Sequence, residues 1–274
     1  MVDQGILELF EIMIESNVLS TILHHLRNKS HLILFLDYDG TLLPIAPTPA
    51  EAQPDQALLE LLTELTQIPL IQTIVLSGRP LKSLQAMLPI RGLVLAGTYG
   101  AEIQKQDEII TRGIAEDRSY STVVQIRNEW SRLIKERAGF LLEDKGITVA
   151  LHARWAEANE AKRVLKSARR IANKWIDSNH MRILDGHRFL EVVPSTADKG
   201  QAVDWFLARN SEPHSLPVYF GDDDKDERAF TIIRRWGGFS IGVDTRYPLL
   251  QADEHLTSSD SVRAWLVEMI ITAR

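Results

Sequence analysis

The sequence predicts a doubly wound α/β core with a parallel sheet, interrupted by an inserted α+β cap domain. Two observations carry that prediction. Short apolar runs (Ile33 to Leu36, Ile71 to Leu76, Leu93 to Ala96, Pro217 to Phe220) each end at a Gly- or Asp-containing polar cluster, and helical periodicity follows. Residues 113–190 break this rhythm with helix, two strands, helix and two more strands. The expected organisation is an N-terminal helical extension over 1–30, a core over 31–112 and 191–274, and a cap over 113–190.

Composition narrows the possible functions. A chain of 274 residues with 45% hydrophobic and 25% charged residues is ordinary for a soluble globular protein and long enough for two domains. A net charge of -6 argues against nucleic acid as a partner, which would call for a basic face. The absence of Cys excludes disulfides, thiolate catalysis and Cys-based zinc sites. No apolar run approaches the roughly 18 residues of a membrane span. Asp3, Glu8, Glu11 and Glu15 interrupt any signal-peptide core, so no membrane association and a cytoplasmic location are expected.

In chain order, Ile6, Leu9, Phe10, Met13, Ile14, Val18, Leu19, Ile22 and Leu23 recur at three- and four-residue steps. They predict one or two amphipathic helices docked on the core. After the Ile33–Leu36 strand, Pro44-Ile45-Ala46-Pro47-Thr48-Pro49 predicts a stiff loop. Helices follow over Leu58–Leu65 and Leu81–Leu88, separated by the Ile71–Leu76 strand. In the insert, one helix carries Val123, Ile126, Trp130 and Leu133, and another Ala161, Val164, Ala168 and Ala172. Strands are predicted at Phe140–Glu143, Thr148–Arg154, Met181–Leu184 and Phe189–Val193. Alternation puts Val149, Leu151 and Ala153 on one face and His152 and Arg154 on the other, which the helices leave free. The core resumes with a helix from Lys199-Gly200, the Pro217–Phe220 strand, a helix, a strand at Phe239–Val243 and a closing helix over 261–272.

Four polar signatures mark one edge of this core: Asp37-Tyr38-Asp39-Gly40-Thr41-Leu42, Ser77-Gly78-Arg79, Lys199-Gly200 and Gly221-Asp222-Asp223-Asp224-Lys225-Asp226-Glu227. The first alone is equally compatible with a turn capping a strand. Together, however, Asp37, Asp39, Asp222 and Asp226 would repel one another unless a cation neutralised them, and an all-oxygen set suits Mg²⁺. Ser77 and Lys199 offer a hydroxyl and a positive charge to an anion, and the ensemble describes a phosphoryl-transfer site.

In order, these segments resemble the four signatures of haloacid-dehalogenase-like phosphatases, whose core is Rossmann-like. From about residue 31 onward the chain resembles the trehalose-6-phosphate phosphatase family more closely. Pro44-Ile45, Gly97-x-x-Gly100-Ala101-Glu102-Ile103, Glu143-Asp144-Lys145-Gly146, His152-x-Arg154 and Ala229-Phe230 carry that likeness. The resemblance implies Asp37 as nucleophile and Asp39 as acid and base. Asp37, Asp39 (through its carbonyl) and Asp222 would be Mg²⁺ ligands, with Asp226 supporting them. Ser77 and Lys199 would act on the phosphate, and Arg79 on the substrate. Glu143, Lys145, His152, Arg154 and Glu191 would contact the sugar from a cap acting as a lid. Expected partners are a small-molecule sugar phosphate and, as an option the resemblance opens, the trehalose-6-phosphate synthase. Four positions depart from the family pattern: Tyr99 for His, Ala153 for Tyr, Val193 for Arg and Lys225 for Thr. Two other readings stay open: a phosphatase of another glycosyl phosphate (such as mannosyl- or glucosyl-phosphoglycerate, with Arg182 or Arg188 on its carboxylate) and a non-catalytic sugar-phosphate- or synthase-binding module.

Overall fold

The strand leading into Asp37, β1 (Leu32–Leu36), is buried along its whole length. The computed structural model describes residues 17–46, 48, 50–112, 116–210, 214–243 and 252–274. The chain divides into two compact units, Met1–Ile110 with Asp198–Arg274, and Thr111–Ala197.

In the first unit β1 lies between β2 (Ile71–Leu76) and β10 (Leu216–Gly221), parallel to both. The sheet order is β12-β11-β10-β1-β2-β3-β4-β5, with β3 (Val94–Gly97), β4 (Glu102–Lys105), β5 (Glu108–Thr111), β11 (Phe239–Val243) and β12 (Glu254–Leu256). Alternate residues of the central strands feed two cores. Leu32, Leu34, Leu36, Val218 and Phe220 pack with α1 (Asn17–Arg27), α2 (Gln56–Thr66), α3 (Leu81–Met87) and α8 (Ser259–Ala273). Ile33, Phe35, Ile74 and Tyr219 pack with α6 (Lys199–Asn210) and α7 (Glu227–Arg235). Burial on both faces is why these strands read as continuous apolar runs. Chain order reverses between β10 and β2, on either side of β1, so the carboxyl end of β1 is the switch point where such sheets place ligands.

The second unit is a four-stranded sheet in the order β6-β7-β9-β8, with β6 (Leu141–Asp144), β7 (Val149–His152), β8 (Met181–Gly186) and β9 (Phe189–Pro194). All its pairings are antiparallel. Val149, Leu151, Leu190 and Val192 face α4 (Glu116–Ile134) and α5 (Ala158–Ala172). Trp130 joins the two helices by donating its indole N–H to the carbonyl of Ala168 at 2.9 Å.

The helix expected to dock on the core does so over residues 17–27, where Leu19, Ile22 and Leu26 are buried in the same core as Trp265 and Met269. Two expectations change. The boundary expected at 190/191 cuts β9, which pairs inside the small sheet, so residues 191–197 belong to the second unit. The sequence reading also passed over β4, β5 and β12, which are only three or four residues long. Ile6, Leu9, Phe10, Met13 and Ile14 of the expected N-terminal helix, and Pro47 and Pro49 of the loop, lie outside the described residues. No helix among the described residues is long and apolar enough to cross a membrane.

Leu26→Ala should therefore cost about 2–4 kcal/mol in urea unfolding, as expected for a leucine in a packed core. A cost near zero would make α1 an appendage.

Candidate active site

Asp37 follows β1, and its N–H donates to the carbonyl of Phe220 at 3.0 Å, which ties the strand end to β10. The chain then turns sharply. Gly40 adopts φ +93°, and a Cβ there would lie 2.0 Å from Oδ2 of Asp222. Only glycine suits that combination of backbone angle and close approach. Asp222 itself follows β10, Ser77 follows β2, and Lys199 opens α6 behind Asp198, whose carboxylate accepts the Gln201 N–H at 2.9 Å. Parallel pairing thus gathers residues from distant parts of the sequence at one sheet edge.

Lys199 is the centre of this cluster. Its ammonium donates to Oδ1 of Asp37 at 2.7 Å and to Oδ1 of Asp226 at 2.6 Å, and its side chain is only 3% exposed. Burial alone would lower its pKa, but Asp226 and then Asp37 outweigh that and hold it well above the ordinary lysine range. Asp226 is saturated with donors. The Tyr219 hydroxyl donates to its Oδ1 at 2.6 Å, and the N–H groups of Asp222 and Asp223 both donate to its Oδ2 at 3.1 Å.

Asp222 is the opposite case. It is buried, and its Oδ1 has no hydrogen-bond partner. Burial, reinforced by Asp226 and Asp223, pushes its pKa up to about 7. Burial also drives Asp37 well above the carboxylate range, against the opposing charge of Lys199. Carboxylate oxygens of Asp37, Asp222 and Asp226 lie within 4.8 Å of one another. One ammonium cannot balance three buried carboxylates, and an orphaned oxygen in such a set fits a hard divalent cation. Asp226 already accepts four donors, which leaves Asp37 and Asp222 as the side chains with more capacity to hold a metal.

Ser77 is buried, and its hydroxyl accepts the N–H of Arg79 at 3.1 Å. The Arg79 guanidinium, expected to act on the substrate, has two of its donors engaged by Asp39, at 2.7 Å each. Tyr99 packs against Gly78, where a Cβ would lie 2.7 Å from its ring. Lys225 pairs with Asp223 at 2.6 Å. Burial works against the charge of Asp223, but Lys199 and Lys225 bring its pKa down to about 2.

In the second unit, Glu143 and Glu191 flank Ala150 across neighbouring strands, and His152 lies between Leu141 and Phe189 in the next row. This puts them on the sheet face opposite the helices. His152 Nε2 lies 2.9 Å from Oε2 of Glu143, and its ring stacks on Phe189 with centroids 5.8 Å apart. Lys145 donates to Glu191 at 3.0 Å and approaches Glu143 at 3.7 Å. Burial opposes the charge of Glu143, yet the His152 hydrogen bond and Lys145 hold its pKa below the usual range. Arg154 is exposed just beyond β7. Ala153 is buried with Ala156 and Ala161, so it belongs to the opposite, apolar side. Arg182 and Arg188 donate to the carbonyls of Ala197 and Ala156.

Two participants had escaped the sequence reading: Tyr219, hidden within an apolar strand, and Thr148, which donates to Glu191 at 2.9 Å.

A trehalose-phosphatase family model matches residues 35–248. The chain belongs to the trehalose-phosphatase family. That family consists of phosphatases, that is, phosphoric monoester hydrolases, and the resemblance drawn from the motifs is borne out. The chain is 34% identical over 245 residues to the trehalose-6-phosphate phosphatase of Escherichia coli K12, covering 87% of this chain and 86% of that one. It is 30% identical over 221 residues to an uncharacterized glycosyl hydrolase of Mycobacterium tuberculosis. That match takes in 78% of this chain but spans only 16% of the relative's length. The C-terminal domain of the Candida albicans trehalose-6-phosphate phosphatase has the same fold, with a TM-score of 0.76 at 21% identity, covering 93% of this chain and 99% of that one.

Tyr219→Phe leaves buried Asp226 short of one donor, so a loss of about 1–3 kcal/mol is expected in denaturant unfolding. An unchanged midpoint would mean that this hydroxyl contributes nothing.

Proposed function

We propose that the protein hydrolyses trehalose 6-phosphate to trehalose and phosphate, using Mg²⁺ and a phosphorylated Asp37. The observation that carries this reading is the buried Lys199 bridge between Asp37 and Asp226, beside the orphaned carboxylate oxygen of Asp222. Mg²⁺ would be held by Asp37, Asp222 and the carbonyl of Asp39, and when bound it supplies charge neutralisation for a dianionic phosphate approaching a carboxylate. A carboxylate oxygen of Asp37 attacks phosphorus and the bond to the sugar oxygen breaks. Asp39 gives that oxygen its proton. Asp39 then takes a proton from water as the water oxygen bonds to phosphorus and the Asp37–phosphorus bond breaks. Lys199 and Ser77 hold the phosphate oxygens. The polar sheet face of the second unit, with Glu143, Lys145, His152 and Glu191, offers acceptors and donors suited to sugar hydroxyls.

Phosphate release from a panel of sugar phosphates tests this reading, with trehalose 6-phosphate expected to have the highest kcat/KM. A preference for another glycosyl phosphate sinks the substrate assignment. Asp37→Asn should abolish turnover, and wild type as inactive as that variant would favour the binding-module reading.

Mg²⁺ should raise the thermal midpoint, since a ligand of the native state at about 100 times its Kd adds about 2.7 kcal/mol. The proton that Asp222 carries below about pH 7 must leave when metal binds, so apparent Mg²⁺ affinity should weaken on going from about pH 8 to about pH 6, by up to roughly tenfold per unit. A pH-independent affinity in calorimetric titration would remove Asp222 from the ligand set.

A further inference from the structure

We infer that Arg79 is a positioning residue whose guanidinium fork aims the Asp39 carboxylate, an inference that rests on Asp39 being the acid and base. Nε donates to Oδ2 of Asp39 and Nη2 to Oδ1, both at 2.7 Å, the two parallel bonds of a bidentate pair. The two partners differ in how firmly they are held. The Arg79 side chain is 10% exposed, its guanidinium carbon lies 5.3 Å from the Tyr38 ring centroid, and Nη1 reaches Met87 Sδ at 3.7 Å. The Tyr38 hydroxyl donates to the same sulfur at 3.8 Å, and the Arg79 N–H donates to Ser77 Oγ at 3.1 Å. The Asp39 side chain, by contrast, is 39% exposed, on a turn that passes through the left-handed Gly40. Arg79 is the fixed member and Asp39 the one that is held.

Asp39 follows β1 and Arg79 follows β2, which are adjacent parallel strands, so the pair is built into the sheet edge. The fork engages both Asp39 oxygens. For one of them to carry a proton to the leaving sugar oxygen, its bond to the fork opens while the other bond keeps the carboxylate oriented. Arg79 then matters in proportion to how much the reaction needs that proton. A sugar alkoxide is a poor leaving group and needs it, whereas p-nitrophenolate leaves without it.

The test compares trehalose 6-phosphate with p-nitrophenyl phosphate in the Mg²⁺-loaded full-length protein, for Arg79→Gln, Arg79→Lys and Asp39→Asn. Positioned acid–base groups contribute about 10²–10⁴-fold. The ratio of kcat/KM on the sugar phosphate to kcat/KM on the aryl phosphate, which reads the phosphorylation of Asp37 and not the shared hydrolysis that follows, should fall by roughly 10–100-fold in Arg79→Gln, and less in Arg79→Lys, which keeps the charge without the fork. A cycle on trehalose 6-phosphate alone gives an independent reading: Arg79→Gln added to Asp39→Asn should slow the reaction no further. Equal loss of kcat/KM on both substrates, no loss on either, or additive losses in the cycle would overturn the inference and make Arg79 a phosphate-binding or purely structural group. An unchanged ratio in Asp39→Asn itself would instead remove Asp39 as the acid, and the role of Arg79 with it. A far-UV circular-dichroism spectrum and a thermal midpoint matching wild type show that each variant has folded.

Discussion

The ammonium of Lys199, buried between Asp37 and Asp226, is the interaction on which the rest of the site depends. It joins the end of β1, the start of α6 and the start of α7, so three segments far apart in sequence are stapled at a single charge. Burying such a group is expensive, and removing one partner of a buried pair typically costs about 3–5 kcal/mol because the other charge is left uncompensated. Tyr219 and two backbone N–H groups satisfy the remaining lone pairs of Asp226. The charge stays unbalanced all the same, because Asp37 and Asp222 remain crowded together with one orphaned oxygen. A fold assembled for stability alone would gain little from leaving that deficit in place. A site that must accept a cation and then an anion would keep it.

The polar strand ends were legible in the sequence because the physics that hides a parallel strand also exposes its terminus. Ile33 to Leu36 is apolar on both faces, so the carboxylates of Asp37 and Asp39 stand out directly after it. The same holds for Ser77 after β2 and Asp222 after β10. The alternation in β7 likewise separated His152 from Val149 and Leu151, and the sheet register agrees.

What stayed hidden was pairing across the chain. Nothing local to Arg79 shows that its fork is spent on a residue 40 positions earlier, and Tyr219 looks like any aromatic in an apolar strand. The start of the insert could be read from the change of rhythm, but its end could not. β9 is an apolar run like those of the core, and only its antiparallel partners assign it to the smaller sheet. The brief β4, β5 and β12 carry too few residues for a periodicity to show.

Passage of phosphate through Asp37 before it reaches water would leave a signature at phosphorus. Two successive displacements at phosphorus restore its original configuration, whereas a single attack by water inverts it. The most direct measurement is therefore the stereochemical course of hydrolysis, in 17O-labelled water, of the phosphorothioate analogue of trehalose 6-phosphate made chiral at phosphorus with 16O and 18O, which releases a chiral thiophosphate. A phosphorylated Asp37 requires net retention. Inversion would contradict it.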